Sequence, residues 1–433
     1  MIEKLIKFLK ANKTISAWKL NEIDTEAVEL FFIKKVLDMN RGKKVSHLTL
    51  TVYVDFEENG KLYRGSSSAK IHPTLTDEEV VKTIERLAFA AGLIKNAYYP
   101  LAVPSNVKPA INSSNLGEKP LEQWIPDFTN AIYKNDIYEK GGINSAELFL
   151  NETSTRIVNS EGIDLSYSGY SGTLEFITTW KETGEEIELY RNIDFSSYNA
   201  ELISSEVADM IKQGKDKAVA KATPVVADIP VLLTGTPVKE FFSYYYDQAN
   251  ANAVYNQLST MKAGDNVQGD VIGDKVSIVL DPEMEGSIYS SPYDGDGFPL
   301  VKLDLYKDGI LKQNWGSVRY SHYLGIPATG EIRNFSVSGG EKSETELRQG
   351  AYLELLAFSD FQMDTLTGDF AGEIRLGYYC DGTERTPVTG GSLSGNIKKV
   401  QQNIYLSKEL QQDNNFIGPK TILINGASIA GCN

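Results

Sequence analysis

Histidine and cysteine are scarce, and that removes most local metal chemistry. The 433 residues hold three histidines, His47, His72 and His322, and the nearest two lie 25 positions apart (72 − 47). HExxH, HxH and similar local ligand pairs are therefore absent. Cys380 and Cys432 are far apart and form no CxxC, so they read as two inert thiols in a reducing compartment. No apolar run approaches the roughly 18 residues that a membrane span requires. The opening MIEKLIKFLK mixes charged and apolar positions at helical spacing, which predicts an amphipathic helix and not a signal peptide. The expected location is cytoplasmic, and the Asn-x-Ser/Thr triplets at Asn12, Asn112, Asn151 and Asn334 then read as chance. Positive charge is also short. A net charge of −15 argues against direct nucleic-acid binding, which needs a basic face to neutralise phosphates. Gly390–Gly395 lacks a Walker lysine, and there is no GxSxG nucleophile elbow.

The remaining composition, 41% hydrophobic and 23% charged, is that of a globular protein long enough for two cores. The pattern predicts an α+β protein: a mixed helix/strand domain over residues 1–222, then a β-rich domain over 223–433. In the first, Val45–Phe56 alternates as a strand, Glu58-Asn59-Gly60 turns it into Lys61–Ser66, and Thr76–Glu79 forms a capping box. That box opens a helix burying Val80, Ile84, Leu87 and Ala91. A helix is expected near Pro126, and strands at Ala146–Leu150, Arg156–Val158, Thr173–Trp180 and Ile187–Tyr190. Leu202 to Ile211 marks a helix closing near Gly214. Ala218–Leu233, rich in Ala, Val and Pro, reads as the crossing between domains. Beyond it, Val301–Leu305, the Asp308-Gly309 turn, Tyr352–Leu355, Glu373–Tyr379 and Thr421–Ile424 read as strands and a hairpin.

Thr236–Asp247 reads as a helix with Thr236 as N-cap, Pro237 at the first position and Glu240 in the first turn. Val238, Phe241, Phe242, Tyr245 and Ala249 then form a core-facing stripe. Asp294-Gly295-Asp296-Gly297 resembles a calcium loop only at its start, because Phe298 and Leu305 stand where further ligands belong. It reads as a tight acidic turn. Asp281, Glu283 and Glu285 are the carboxylates available to a metal-independent hydrolase.

Several segments together resemble the TldD/TldE (PmbA) family, once called modulators of DNA gyrase. They are Asn159-Ser160-Glu161-Gly162; Asp281-Pro282 with Ser290–Gly297; Lys307–Leu311; Leu324–Gly330; Thr367–Phe370; Pro387-Val388 before Gly395-Asn396; and Gly426–Gly431. The resemblance implies a cytoplasmic zinc metallopeptidase with two domains. Its TldD-like members bind zinc through HExxxH and a downstream Cys, and TldE-like members lack the motif and pair with them. Here Lys239-Glu240-Phe241-Phe242-Ser243-Tyr244 falls where HExxxH would be, so Lys239 and Tyr244 replace both histidines and only Glu240 remains. Gln411–Gly418, where the ligand Cys belongs, contains none. A lysine ammonium has no lone pair for a metal, and a glutamate without metal has no polarised water to deprotonate. The resemblance therefore implies a TldE-like subunit with no metal or cofactor in this chain and zinc in a TldD-like partner. A homodimer in that partner's absence is also open, and the expected substrate is an extended peptide captured by strand addition. Two rivals stay open: the carboxylate hydrolase and a stand-alone interaction protein.

Overall fold

The computed structural model describes residues 1–109, 113–182 and 184–432; Asn112, named among the triplets, lies outside them. The first unit contains α1 (Ile2–Ala11), β1 (Ala17–Ile33), β2 (Val36–Glu58), β3 (Lys61–Ile71) and α2 (Asp77–Gly92). It continues with α3 (Ile125–Tyr133), β4 (Gly141–Asn159), β5 (Asp164–Trp180), β6 (Ile187–Phe195) and α4 (Ala200–Ala218). Its six strands form one antiparallel sheet in the order β3-β2-β1-β4-β5-β6.

The residues explain these elements. Asn59 and Gly60 both take positive φ, 53° and 71°, as a two-residue hairpin requires. Thr76 and Glu79 form the expected capping box at α2. The expected strand pairs are longer than their apolar cores: Ala146–Leu150 and Arg156–Val158 are one strand, β4. Gly214 does not end α4; it sits inside the helix, where a Cβ would lie 3.4 Å from Trp180. Central β1 had no place in the sequence reading, and its burial explains the omission. Side chains at alternate positions share a face. Along the even positions of β1, Trp18 and Leu20 pack under α1 and α2, and Leu30 and Phe32 pack under α3 and α4. Between them Glu22, Asp24 and Glu26 occupy the same face in the gap between the helix pairs, so the apolar alternation breaks in mid-strand.

The second unit opens with β7 (Lys221–Ala222), β8 (Val231–Thr234), α5 (Thr236–Gln248), α6 (Ala251–Tyr255), β9 (Ile278–Leu280), β10 (Leu303–Lys307), β11 (Ile310–Leu311), α7 (Val318–Leu324), β12 (Phe335–Val337) and α8 (Glu344–Leu347). It ends with β13 (Ala351–Met363), β14 (Asp369–Asp381), β15 (Arg385–Thr389), β16 (Ser392–Asn396), α9 (Ile397–Val400), β17 (Ile404–Leu406), β18 (Leu410–Asp413), β19 (Phe416–Pro419), β20 (Thr421–Ile424) and β21 (Ser428–Ala430). One sheet runs β17-β20-β8-β13-β14-β15-β7, with β16 joining β14 to β21; the other runs β11-β10-β9-β12-β19-β18. The Ala218–Leu233 stretch thus ends in a strand, β8, with every residue buried.

Helix α5 is the shared core of both sheets. Val238, Phe241, Phe242, Tyr245 and Ala249 are all fully buried, in one cluster with Leu233, Leu355 and Ile422 from one sheet and Leu280, Leu305 and Phe416 from the other. The expected stripe is present, but its cap is not. Gly235, at φ 79°, is the N-cap, Thr236 is the first helical residue, and the first turn holds no acid. Glu240 lies one position too far along to serve the helix dipole.

The units also meet at the Asp294 turn. Lys19 Nζ of β1 donates to the Gly295 carbonyl at 2.9 Å and pairs with the Asp296 carboxylate. Asp294 is buried, and its Oδ1 accepts the N–H groups of Asp296 and Phe298 at 2.9 and 3.0 Å. This is the acidic turn expected from the sequence. Burial and the Asp296 charge push the Asp294 carboxyl up to about 6, against the two backbone donors. Its folded value is raised, so its contribution to stability is present below the unfolded value near 4 and is lost as pH rises through about 6. Asp294→Asn retains both acceptor bonds and is expected to flatten this part of the stability–pH curve by an amount on the order of 2 kcal/mol. Thermal unfolding of both proteins between pH 4 and 7 reads this directly, and parallel curves would refute it.

Candidate functional site

A cleft of about 1000 Å³ separates the two units. The first unit contributes β6 and one side of α4, and the second contributes β18, the N-terminus of α5 and the start of β13. Five consecutive residues of β6, Arg191 to Phe195, line it, as do Gln411, Gln412, Asp413 and Asn414. Strand side chains alternate between faces, so a consecutive run can line a cleft only where the strand presents its backbone edge. Both strands close their sheets: β6 pairs with β5 and β18 with β19, each on one side. Two strand edges therefore face the same space. The β18–β19 turn, with Asn414 at φ 48°, bridges the units: Asn414 Nδ2 donates to Asp194 Oδ2 at 3.2 Å. Ser196 N–H donates to the Gly286 carbonyl at 2.9 Å beside it.

One end of the cleft is held by a buried carboxylate. Glu354 is 1% exposed and accepts from Arg348 Nη2 at 2.6 Å, Arg385 Nη2 at 2.9 Å and Thr234 Oγ1 at 3.0 Å. Burial by itself would raise the Glu354 carboxyl, but the two guanidinium groups outweigh it and hold it below the usual range. Arg385 also lies over the Tyr378 ring, 3.3 Å from its centroid, and Tyr378 donates to Asp216 Oδ2 of α4 at 2.5 Å. In mid-cleft, burial pushes Glu206 up despite Arg191, whose Nε is 3.7 Å away. That Nε is buried without a hydrogen-bond partner among the described residues.

None of these residues was singled out from sequence. Glu354 had a signal: a single carboxylate inside the apolar run Tyr352–Leu356, where charge is rare unless paired. Arg191, Arg348 and Arg385 had none, because the fold brings them together from distant segments.

The motif positions lie just behind this cleft and point apart. Lys239 Nζ reaches β18, 3.5 Å from the Asp413 carbonyl and 3.8 Å from its carboxylate. Glu240 Oε1 accepts from Met363 N–H at 3.4 Å. Tyr244 is 2% exposed, beside Tyr245 and 6.0 Å from Lys398 Nζ, and burial pushes its hydroxyl up to about 12. The Gln411–Gly418 segment does pass next to Lys239, as the resemblance implies. The donor set does not fit zinc: a lysine in an ion pair, a buried neutral phenol and one carboxylate turned to a backbone amide. Among the described residues no three His, Cys, Asp or Glu side chains are grouped to hold a metal. His47 on β2, His72 just after β3 and His322 on α7 are each exposed. The hydrolase carboxylates are no better placed. Asp281 is paired with Lys302 at 2.7 Å, and Glu283 and Glu285 are exposed. Among the described residues no helix is long and apolar enough to cross a membrane.

Residues 227–431 match the PmbA/TldA metallopeptidase C-terminal domain. The chain is 24% identical over 320 residues to an uncharacterised protein of Methanocaldococcus jannaschii, covering 70% of this chain and 73% of that one. It is 25% identical over 208 residues to the metalloprotease PmbA of Escherichia coli O157:H7, spanning under half of either chain, 47% and 46%. Two solved structures share its fold. One, from Thermotoga maritima and provisionally named a modulator of a DNA gyrase, superimposes with a TM-score of 0.78 at 17% identity, covering 100% of this chain and 99% of that one. TldE from Thermococcus kodakarensis gives 0.75 at 15% identity over 100% of both chains. Through its second unit the chain is a member of the TldD/TldE (PmbA) family, and over its whole length it shares the fold of these two structures.

Proposed function

We propose that this chain is a non-catalytic, TldE-like subunit that pairs with a TldD-like zinc subunit and helps hold an extended peptide for it. One observation carries the reading: two strand edges face a single cleft, beside a helix whose motif positions cannot ligate zinc. An extended peptide entering there can pair its backbone with either edge, which supplies affinity without regard to side-chain sequence. The chemistry of hydrolysis then belongs to the partner. Arg191 and Glu206 face the bound chain, and Lys239, tied to Asp413, keeps β18 against α5.

The purified chain is expected to carry zinc well below one equivalent and to show no chelator-sensitive peptidase activity. Elemental analysis and a fluorogenic casein assay with and without a chelator check both. Stoichiometric zinc with chelator-sensitive cleavage would sink the proposal. A pull-down from the native cell is expected to recover a relative bearing HExxxH; recovery of an unrelated protein alone would favour the stand-alone interaction role.

A further inference from the structure

The two ends of the cleft differ in charge. Helix α4 runs along it, with Leu202 near one end and Gln213 near the other. At 1.5 Å per residue those eleven steps span about 16 Å, the length of about five residues of extended chain. Near the start of α4, the lining is acidic: Glu118, Asp194 and Glu285, with no basic side chain among the described lining residues there. Hydrogen bonds fix this grouping, because Asn115 donates to the Tyr198 carbonyl at 2.9 Å and Ser196 to the Gly286 carbonyl at 2.9 Å. Glu118 and Glu285 are exposed, so their charges face the open space.

At the far end, where Tyr378 meets Asp216 near the end of α4, the lining is basic. Arg348, Arg385 and Lys420 outnumber Glu344 and Glu354 in the lining, and Asp216, taken up by the Tyr378 hydroxyl, lies outside it. Arg385 commits only Nη2 to Glu354 among the described residues, and its side chain remains 41% exposed. Stacked on Tyr378, it keeps Nε and Nη1 without a hydrogen-bond partner among the described residues. A guanidinium so placed matches a carboxylate in bidentate geometry.

We infer that the cleft sets the direction of the bound peptide: its ammonium terminus at the Glu118–Asp194–Glu285 end and its carboxylate terminus at the Arg385–Lys420 end. This rests on the peptide-binding reading and adds polarity and a preference for short peptides with free termini. Backbone pairing with a strand edge accepts either direction, parallel or antiparallel, so the edges alone do not choose. The charged ends do. They also favour peptides short enough, about five residues, for both termini to reach them.

The probe is a short alternating Ser–Val peptide with a dye on its central side chain, prepared with free termini, N-acetylated, or C-amidated. Fluorescence anisotropy with the full chain is expected to show about tenfold weaker binding for each capped form. Arg385→Gln should abolish the penalty for C-amidation and leave that for N-acetylation. Glu118→Gln with Glu285→Gln, both at exposed sites that leave the fold intact, should do the reverse. A photocrosslinker at either peptide end, mapped by mass spectrometry, should label β14–β15 from the carboxyl end and the Asn115–Glu118 turn from the amino end. Equal affinity for all three forms, or both ends labelling both sites, would overturn the directional inference with peptide binding intact. Failure of every form to bind would overturn the peptide-cleft reading itself.

Discussion

Glu354→Ala is expected to destabilise the protein by about 3 kcal/mol at neutral pH, among the largest effects of any single change in the cleft. The carboxylate is 1% exposed and receives three donors, two of them cationic. Removing one partner of a buried ion pair leaves the other charge uncompensated, at about 3–5 kcal/mol. The lower end applies, because the Arg348 and Arg385 side chains are 25% and 41% exposed and can turn partly to water. Glu354→Gln keeps the volume and separates charge from packing. The Glu354 carboxyl is depressed in the folded state, so its contribution is present above the unfolded value near 4.3 and is lost as pH falls through the lower folded value. Urea titrations should therefore show a wide gap between wild type and Glu354→Gln at pH 7 that narrows below about pH 4. A gap independent of pH would mean that the pair is not what stabilises this wall.

Phe242→Ala should cost about 3–5 kcal/mol, the range for emptying an aromatic site in a core. Its ring is fully buried and packs against Phe241 and Tyr245 of the same helix and Phe416 of β19, inside the cluster that joins α5 to both sheets. Lys239→Ala, three positions earlier on the same helix, removes a partly exposed ion pair at 3.8 Å and should cost under about 1 kcal/mol. The contrast tests what α5 is for. A packing helix is destabilised far more at Phe242 than at Lys239; comparable losses in chemical denaturation would require another role for Lys239.

The sequence exposed those parts of the fold that depend on local chemistry. The Asn59-Gly60 and Asp308-Gly309 turns, the Thr76–Glu79 capping box and the apolar stripe of α5 each declare themselves within a few residues, and each is present. β1 was hidden because acids interrupt its core face between two separately covered ends. β8 was hidden because three apolar residues and a threonine next to Pro230, all buried, look like linker until their neighbours are known. The α5 cap was misread because Gly235 can adopt φ 79° and take the position that Thr236 would otherwise fill. The cleft was invisible for a different reason. Its charges come from residues between 118 and 420, and no window of sequence contains them together. The ordered family motifs pointed to α5 and to the segment beside it, but not to the space in front of them.

The paired strand edges have one more consequence. An uncovered edge is ordinarily a hazard, since it offers the same backbone groups to any neighbouring sheet and invites association between molecules. Here each edge is screened by the other unit, in a gap bridged by Asn414 and Asp194. Under the peptide-binding proposal the gap would then act as a steric filter: a folded domain could not bring its own sheet to either edge, and only a chain without tertiary structure could enter.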